Sequence, residues 1–325
     1  MNKLLHLARL GWAYKIAGLT RLSYPPYQYT IEPTNRCNLH CAFCSQSDPR
    51  HFAFRPAGEL TIENFETFLG RVKEAAPGNK NINLTLDGEP FHNQNFIRMV
   101  KLSAAAGFFT VFASNGTLLS KERLDQLVTA GPFLASIDFA SDENIYETIR
   151  GRKGDFALVR ANLTRLMEAS QSGKGIHLNV HDITPFAGAD PKTSLTKMKA
   201  LFPGRWPSRI RFDTRQFHNF CGHLETEKKS GQYRLCPYPW MQMAVTYSGD
   251  CVACCRDTAG RSVLGNILAA SLRDVWNKAA YRQFRQNLLN ERPDLNAACA
   301  ECDLPYSENE QRWKPKYIWR SLLKR

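Results

Sequence analysis

The stretch Glu32-Pro-Thr-Asn-Arg-Cys37-Asn-Leu-His-Cys41-Ala-Phe-Cys44 follows a β-prone run at residues 28–32 and crowds three thiols onto one loop. Cys37, Cys41 and Cys44 are spaced C-x3-C-x2-C, with Phe43 directly before the third and no fourth cysteine nearby. Three thiolates on one loop suit an iron-sulfur cluster, and three ligands for about four irons leave one iron open to bind something else. A closed tetrahedral zinc site wants a fourth ligand, for which only His40 or His51 is near.

Around this loop lie 325 residues, 43% hydrophobic and 22% charged, the composition of a folded protein of one or two domains. No stretch reaches the roughly 18 uncharged apolar residues of a membrane-spanning helix. The basic start lacks a small-residue cleavage site, so a cytoplasmic protein is expected. Ten cysteines in a reducing compartment favour metal or catalytic use over disulfides. The net charge of +13 is concentrated at the ends, since residues 1–31 and 311–325 carry bases and no acid. The nearly balanced middle argues against a nucleic-acid groove.

C-x3-C-x-aromatic-C after a first strand resembles the hallmark of the radical S-adenosylmethionine (SAM) superfamily. The resemblance implies a partial barrel and a 4Fe-4S cluster whose open iron chelates the methionine amino and carboxylate groups of SAM. It also implies reductive cleavage of SAM to a 5'-deoxyadenosyl radical that abstracts a substrate hydrogen, with an external one-electron reductant such as flavodoxin or ferredoxin. Downstream segments extend it. Asp87-Gly88-Glu89-Pro90 resembles the family's Gly-Glu-Pro segment, which receives the amino group, and Ser114-Asn115-Gly116-Thr117 resembles its Thr-Asn-Gly turn, with serine for threonine. By the same resemblance Ser136 lies near the SAM ribose or methionine and Arg150 pairs with the methionine carboxylate, an anion suited to a guanidinium fork. The cofactor-binding set so implied is Phe43, Gly88, Glu89, Asn115, Ser136 and Arg150.

Candidate strands at 28–32, 82–86, 109–113, 133–139, 176–182 and 209–215 alternate with amphipathic segments such as 61–75 and 121–129. That order predicts an α/β fold with a parallel sheet and helices outside. With the resemblance it becomes a partial (β/α)6 TIM-like barrel and a small C-terminal α+β auxiliary-cluster domain. The expected divisions are 1–27 (amphipathic basic segment), 28–222 (barrel), 223–310 (auxiliary domain) and 311–325 (basic aromatic tail). In the last two strands the apolar positions must meet the helices. This turns Asn179, His181, Arg211, Asp213 and Arg215 inward, as a polar substrate cavity or a salt-bridge network.

A second cysteine set follows. Cys236, then Gly249 and Cys254, read C-x12-G-x4-C; a helix from Ser271 through Trp276 to Leu289 and then Cys299-x2-Cys302 come after. This resembles the SPASM or shorter twitch auxiliary-cluster domain of radical SAM enzymes and implies one auxiliary 4Fe-4S cluster on Cys236, Cys254, Cys299 and Cys302, with structural zinc the alternative. Choosing Cys254 over Cys255 rests on the Gly-x4-Cys spacing, and Cys221 and Cys251 are left over.

A closed second cluster suits electron transfer, which makes oxidation of a sugar, cyclitol or other polyol the expected reaction. Arg211, His181 or Asp213 is the candidate to take the proton. Ribosomal-peptide maturation is the alternative, although 36 residues before Cys37 are few for a leader-binding domain. A further alternative is sugar epimerisation with Cys221 as hydrogen donor, and the non-enzymatic one is an iron-sulfur scaffold. Leu5, Ala8, Trp12, Ile16 and Leu19 form an apolar stripe at helical spacing, and Trp313, Tyr317 and Trp319 mix with bases in the tail. Both ends therefore suit either docking on the barrel or peripheral contact with an anionic inner membrane face.

Overall fold

The computed structural model describes residues 8–173, 175–224 and 232–306. Its sheet contains β1 (Gln28–Ile31), β2 (Asn81–Leu84), β3 (Phe109–Ser114), β4 (Phe133–Phe139), β5 (Ile176–Asp182), β6 (Ile210–Thr214), β7 (Gln242–Val245), β8 (Asp250–Val252) and β9 (Val263–Asn266). Their order is β6-β5-β4-β3-β2-β1-β7-β8-β9, and β1 to β6 run parallel. Side-chain alternation sets the faces. Phe133, Ala135, Ile137 and Phe139 on β4, and Ile176, Leu178 and Val180 on β5, are wholly buried. Leu134, Ser136, Asp138, His177, Asn179 and His181 take the other face and stay partly accessible. Phe139 stacks on Phe156, 4.7 Å away, in the helix Asp155–Gln171.

Helices begin where polar caps stand. Thr61 Oγ1 accepts from Asn64 N at 3.2 Å ahead of Ile62–Ala75, and Ser120 Oγ from Arg123 N at 3.3 Å ahead of Lys121–Val128. Asp142 Oδ1 accepts from Ile145 N at 3.0 Å ahead of Glu143–Arg150. Gly151, at φ +68°, stops that last helix at the arginine.

Three details go beyond or change the sequence expectations. First, the cysteine-rich C-terminal segment joins the sheet of the barrel. β7 pairs in parallel with β1, Thr30 opposite Ala244, and β8 and β9 follow antiparallel, so the barrel sheet runs on into this segment. Second, the helix expected from Ser271 to Leu289 is two, Leu272–Trp276 and Ala279–Leu289. Asn277 at the break holds both backbone groups of Leu22, its Oδ1 accepting at 2.7 Å and its Nδ2 donating at 3.0 Å. Third, the apolar stripe does not dock as one face, since of its members Leu19 packs on the core. Trp12 and Ile16 are 54% and 77% exposed, whereas Leu10, Ala13 and Tyr14 are buried. A π-helical turn at Trp12–Ile16 changes the register, and Tyr14 packs against Trp240 at 5.5 Å. Leu5 and the aromatic tail lie outside the described residues. Among those described, no helix is long and apolar enough to cross a membrane.

A buried ion pair joins the two parts. Glu32, just past β1 and wholly buried, takes both arms of the Arg55 guanidinium at 2.6 and 2.7 Å and accepts Tyr247 N at 3.0 Å. Arg55 Nε donates to Thr258 O at 2.9 Å. Arg55→Met strands the Glu32 carboxylate without a counter-charge, so urea unfolding should show a loss of about 3–5 kcal/mol, smaller when Glu32→Gln is added. Phe139→Ala should cost a similar ~3–5 kcal/mol through the cavity it leaves.

Candidate functional site

The sequence motifs meet at the C-terminal ends of the parallel strands, the end at which barrels of this kind build their sites. The cysteine loop leaves β1 and is fastened twice. Ala42 N donates to Ile149 O at 2.9 Å, satisfying a helix-end carbonyl, and Glu89 N donates to Arg36 O at 2.8 Å. Gly88, at φ +67°, lies so close beneath the loop that a Cβ would stand 2.6 Å from both Thr34 O and Arg36 O. Only glycine fits there.

Cys41 is buried and Cys37 and Cys44 are half-buried. Burial and then neighbouring acids and thiols push Cys37 up to about 11 and Cys44 up to about 12. Cys37 and Cys44, raised in this way, are favoured as thiolates by a positive centre such as an iron-sulfur cluster would supply. Two donors already face the sulfurs, with Asn115 Nδ2 3.9 Å from Cys37 Sγ and Arg150 Nη1 3.3 Å from Cys41 Sγ.

Glu89 and Arg150 each have capacity to spare. Glu89 is buried and accepts from Phe91 N at 3.2 Å, Ser114 Oγ at 2.9 Å and Asn115 N at 2.7 Å, three of the roughly four acceptor positions of a carboxylate. Burial outweighs these bonds and pushes its pKa up to about 7. Arg150 also donates from Nη2 to Asp138 O at 2.8 Å, while its buried Nε has no partner among the described residues. Burial opposes its charge, but Cys41, Tyr146 and Asp138 outweigh that and hold the guanidinium protonated. An acceptor and a donor left over beside three thiols suit the amine and carboxylate of an amino-acid headgroup. Phe43 stands 5.5 Å from the Arg150 guanidinium and packs on Phe186 at 4.9 Å. Ser136, on β4 between Ala113 and Asn179, lines the accessible face.

On the same face Arg215 Nη1 donates to Asp138 Oδ1 at 3.3 Å, and His181 Nδ1 bonds Asp213 Oδ1. Arg211 and Asp213 are exposed rather than enclosed, because β6 ends the sheet and no further strand covers it among the described residues. A 330 Å³ cavity lined by Pro26, Tyr27, Ala75, Pro77 and Asn81 lies at the N-terminal ends of β1 and β2, away from these groups.

A second thiol group forms in the C-terminal segment. Cys236 and Cys299 each lie beside Cys254 and Cys302, and burial raises both. Cys254 is a neighbour of these thiols, and Cys255 Sγ accepts from Gln242 Nε2 at 3.6 Å. Cys251 is wholly buried on β8. Cys221 is 1% exposed, on a loop that Asn219 ties to Glu301 O at 2.7 Å and Asp303 Oδ2 at 3.0 Å.

Sequence reasoning missed a buried network beneath the first loop. His51 Nε2 bonds Asp87 Oδ2 at 2.7 Å, Gln46 Nε2 donates to Asp87 Oδ1 at 2.8 Å, and His223 Nδ1 bonds Asp48 Oδ2 at 2.9 Å. These residues carry no spacing signal, and only folding brings them together.

Comparison with known proteins agrees with this geometry. Residues 31–185 match the radical SAM superfamily, and residues 236–303 match SPASM, an iron-sulfur cluster-binding domain. The AdoMet-dependent heme synthase of Methanosarcina barkeri is 33% identical over 140 residues, 42% of this chain and 38% of the relative. The sporulation killing factor maturation protein SkfB of Bacillus subtilis is 30% identical over 148 residues, 46% of this chain and 34% of the relative. The chain thus spans about a third of the length of these relatives. The crystal structure of BtrN in complex with AdoMet and 2-DOIA superposes with a TM-score of 0.57 at 17% identity, covering 87% of this chain and 94% of that one, a likeness of fold. Residues 31–185 are therefore a radical SAM domain and residues 236–303 a C-terminal SPASM iron-sulfur cluster-binding domain by their family-model matches.

Proposed function

We propose that the protein is a radical SAM oxidoreductase acting on a sugar, cyclitol or other polyol. In this reading Cys37, Cys41 and Cys44 hold the SAM-binding 4Fe-4S cluster, and Cys236, Cys254, Cys299 and Cys302 hold an auxiliary one that accepts an electron. When bound, the first cluster and SAM supply hydrogen-atom abstraction through a 5'-deoxyadenosyl radical. The chain does the rest. Glu89 offers its remaining acceptor to the methionine amino group, and Arg150 offers Nε to the carboxylate. The observation that carries the substrate class is the His181–Asp213 pair on the same face as the Asp138–Arg215 pair. Together they make a wall that binds hydroxyls and accepts a proton as a carbonyl forms.

Peptide maturation is the second reading. It is favoured by the relative named as a maturation protein and by the uncovered β6 edge with Arg211 exposed, which leaves room for an extended chain.

The test uses anaerobically reconstituted protein and an external reductant. Polyols should raise 5'-deoxyadenosine release and be recovered as carbonyl products, both absent in Cys37→Ala. His181→Ala should leave SAM cleavage in place and lower carbonyl formation by about 10²–10⁴-fold. Release stimulated by peptides and not by polyols would replace the first reading with the second.

Binding should depend on pH through Glu89. Its raised pKa of about 7 means that the carboxyl is protonated at lower pH and cannot accept from the amino group. SAM affinity measured from about pH 8 to 6 should therefore weaken as pH falls through 7, by up to about tenfold per unit. Glu89→Gln, which does not titrate, should bind weakly and flatten the profile.

A further inference from the structure

We propose that Phe217 is the apolar wall of the substrate subsite, its exposed ring taking the C–H face of a cyclic polyol whose hydroxyls reach Asp138 and Arg215. The inference rests on the reading of the protein as a polyol oxidoreductase and names the shape of polyol it takes.

Phe217 is 44% exposed, which for a lone apolar side chain would need no explanation. It does not stand alone. Phe217 lies 5.4 Å from Phe186 at an interplanar angle of 77°, and Phe186 lies 4.9 Å from Phe43. Phe43 is 5.5 Å from the Arg150 guanidinium, Arg150 Nη2 donates to Asp138 O at 2.8 Å, and Arg215 Nη1 donates to Asp138 Oδ1 at 3.3 Å. Phe217 follows Arg215 at the next position but one. These contacts close a circuit across the C-terminal ends of β1, β4, β5 and β6, with an aromatic side and a charged side.

The aromatic side is fixed in place. Arg215 N donates to Asp182 O at 3.0 Å, and Asn219 N and Nδ2 donate to Asp303 Oδ2 at 3.0 Å and Glu301 O at 2.7 Å. The short span carrying Phe217 is therefore anchored at both ends. Phe186 sits in the turn Thr184–Ala187, held by Asp182 Oδ1, which accepts Thr184 N at 2.9 Å. An edge-to-face contact covers at most one face of either ring, so Phe186 leaves at least one face of Phe217 open. A ring already oriented loses little freedom when a ligand stacks on it.

The two sides together match an amphipathic ring. A cyclic polyol with equatorial hydroxyls carries its polar groups around the rim and axial C–H groups on its faces. Those slightly positive C–H groups meet the negative face of the aromatic ring. The rim hydroxyls donate to the Asp138 carboxylate and accept from Arg215, which gives Asp138 one of its roughly five N–H donors. An open-chain polyol offers the hydroxyls without the face.

Equilibrium dialysis of the anaerobically reconstituted, SAM-loaded full chain, without reductant, tests this with scyllo-inositol and methyl β-glucoside as ring probes and mannitol as the open-chain probe. The wild type should bind a ring probe more tightly than mannitol. Phe217→Ala should weaken the ring probe by about three- to tenfold while the affinities for mannitol and SAM hold. Phe217→Trp should restore ring binding, and Phe217→Leu, apolar but without a π face, should not. The side chain is exposed, so its truncation leaves no enclosed cavity to destabilise the fold. Unchanged ring binding in Phe217→Ala would overturn the proposal, as would mannitol bound by the wild type as tightly as the rings. Weakened SAM binding in place of weakened ring binding would also overturn it, and would make Phe217 a wall of the SAM pocket. If no polyol, ring or open-chain, binds the wild type, the polyol reading itself falls, a different failure.

Discussion

Gly88 lies beneath the backbone of Thr34 to Arg36 with no room for a side chain, and the arrangement of the first site depends on that approach. It lets Glu89 N reach Arg36 O, which ties the end of β2 to the loop that leaves β1. The same turn delivers the Glu89 carboxylate, already buried, to the backbone of Asn115 at the end of β3. From the other side, the helix ending at Arg150 accepts Ala42 N at Ile149 O and lays its guanidinium between Cys41 and Asp138. Three strand ends and one helix end thus converge on eight residues of loop. The polar groups they bring are nearly all satisfied, apart from the acceptor and donor that an amino-acid headgroup would use.

The same economy couples the two thiol groups. The β1–β7 pairing makes one sheet of both regions, so neither can shift without breaking backbone hydrogen bonds. Glu32 and Arg55 reinforce it with a buried pair reaching Tyr247 and Thr258, and Thr258 Oγ1 donates to Ser45 Oγ, directly after Cys44, at 2.8 Å. A buried pair of this kind is costly to desolvate and is weak evidence for stability, so its value lies in holding the geometry. An electron passed between the two regions would cross a rigid connection.

Much of this was legible because it is local. Period-two alternation marked β4 and β5 to the residue. The cysteine spacing and the Gly-Glu-Pro turn marked the first site for the same reason, since each is a short-range backbone requirement. What escaped depends on distant partners. β7 joining β1, Asn277 breaking a helix to hold Leu22, and the π-helical turn that faces Tyr14 inward are settled across more than two hundred residues of sequence. The loop at Asn219 is a further instance: by position it belongs to the end of the barrel, and its bonds to Glu301 and Asp303 join it to the C-terminal cysteine segment.

The central claim is that the protein has one cluster site open to SAM and a second closed by its own thiols. EPR of the chemically reduced, reconstituted chain before and after SAM addition tests it most directly. The account predicts two cluster signals, of which one changes on SAM addition and is lost in Cys41→Ala while the other responds to neither. A single signal, or two signals both indifferent to SAM, would contradict it.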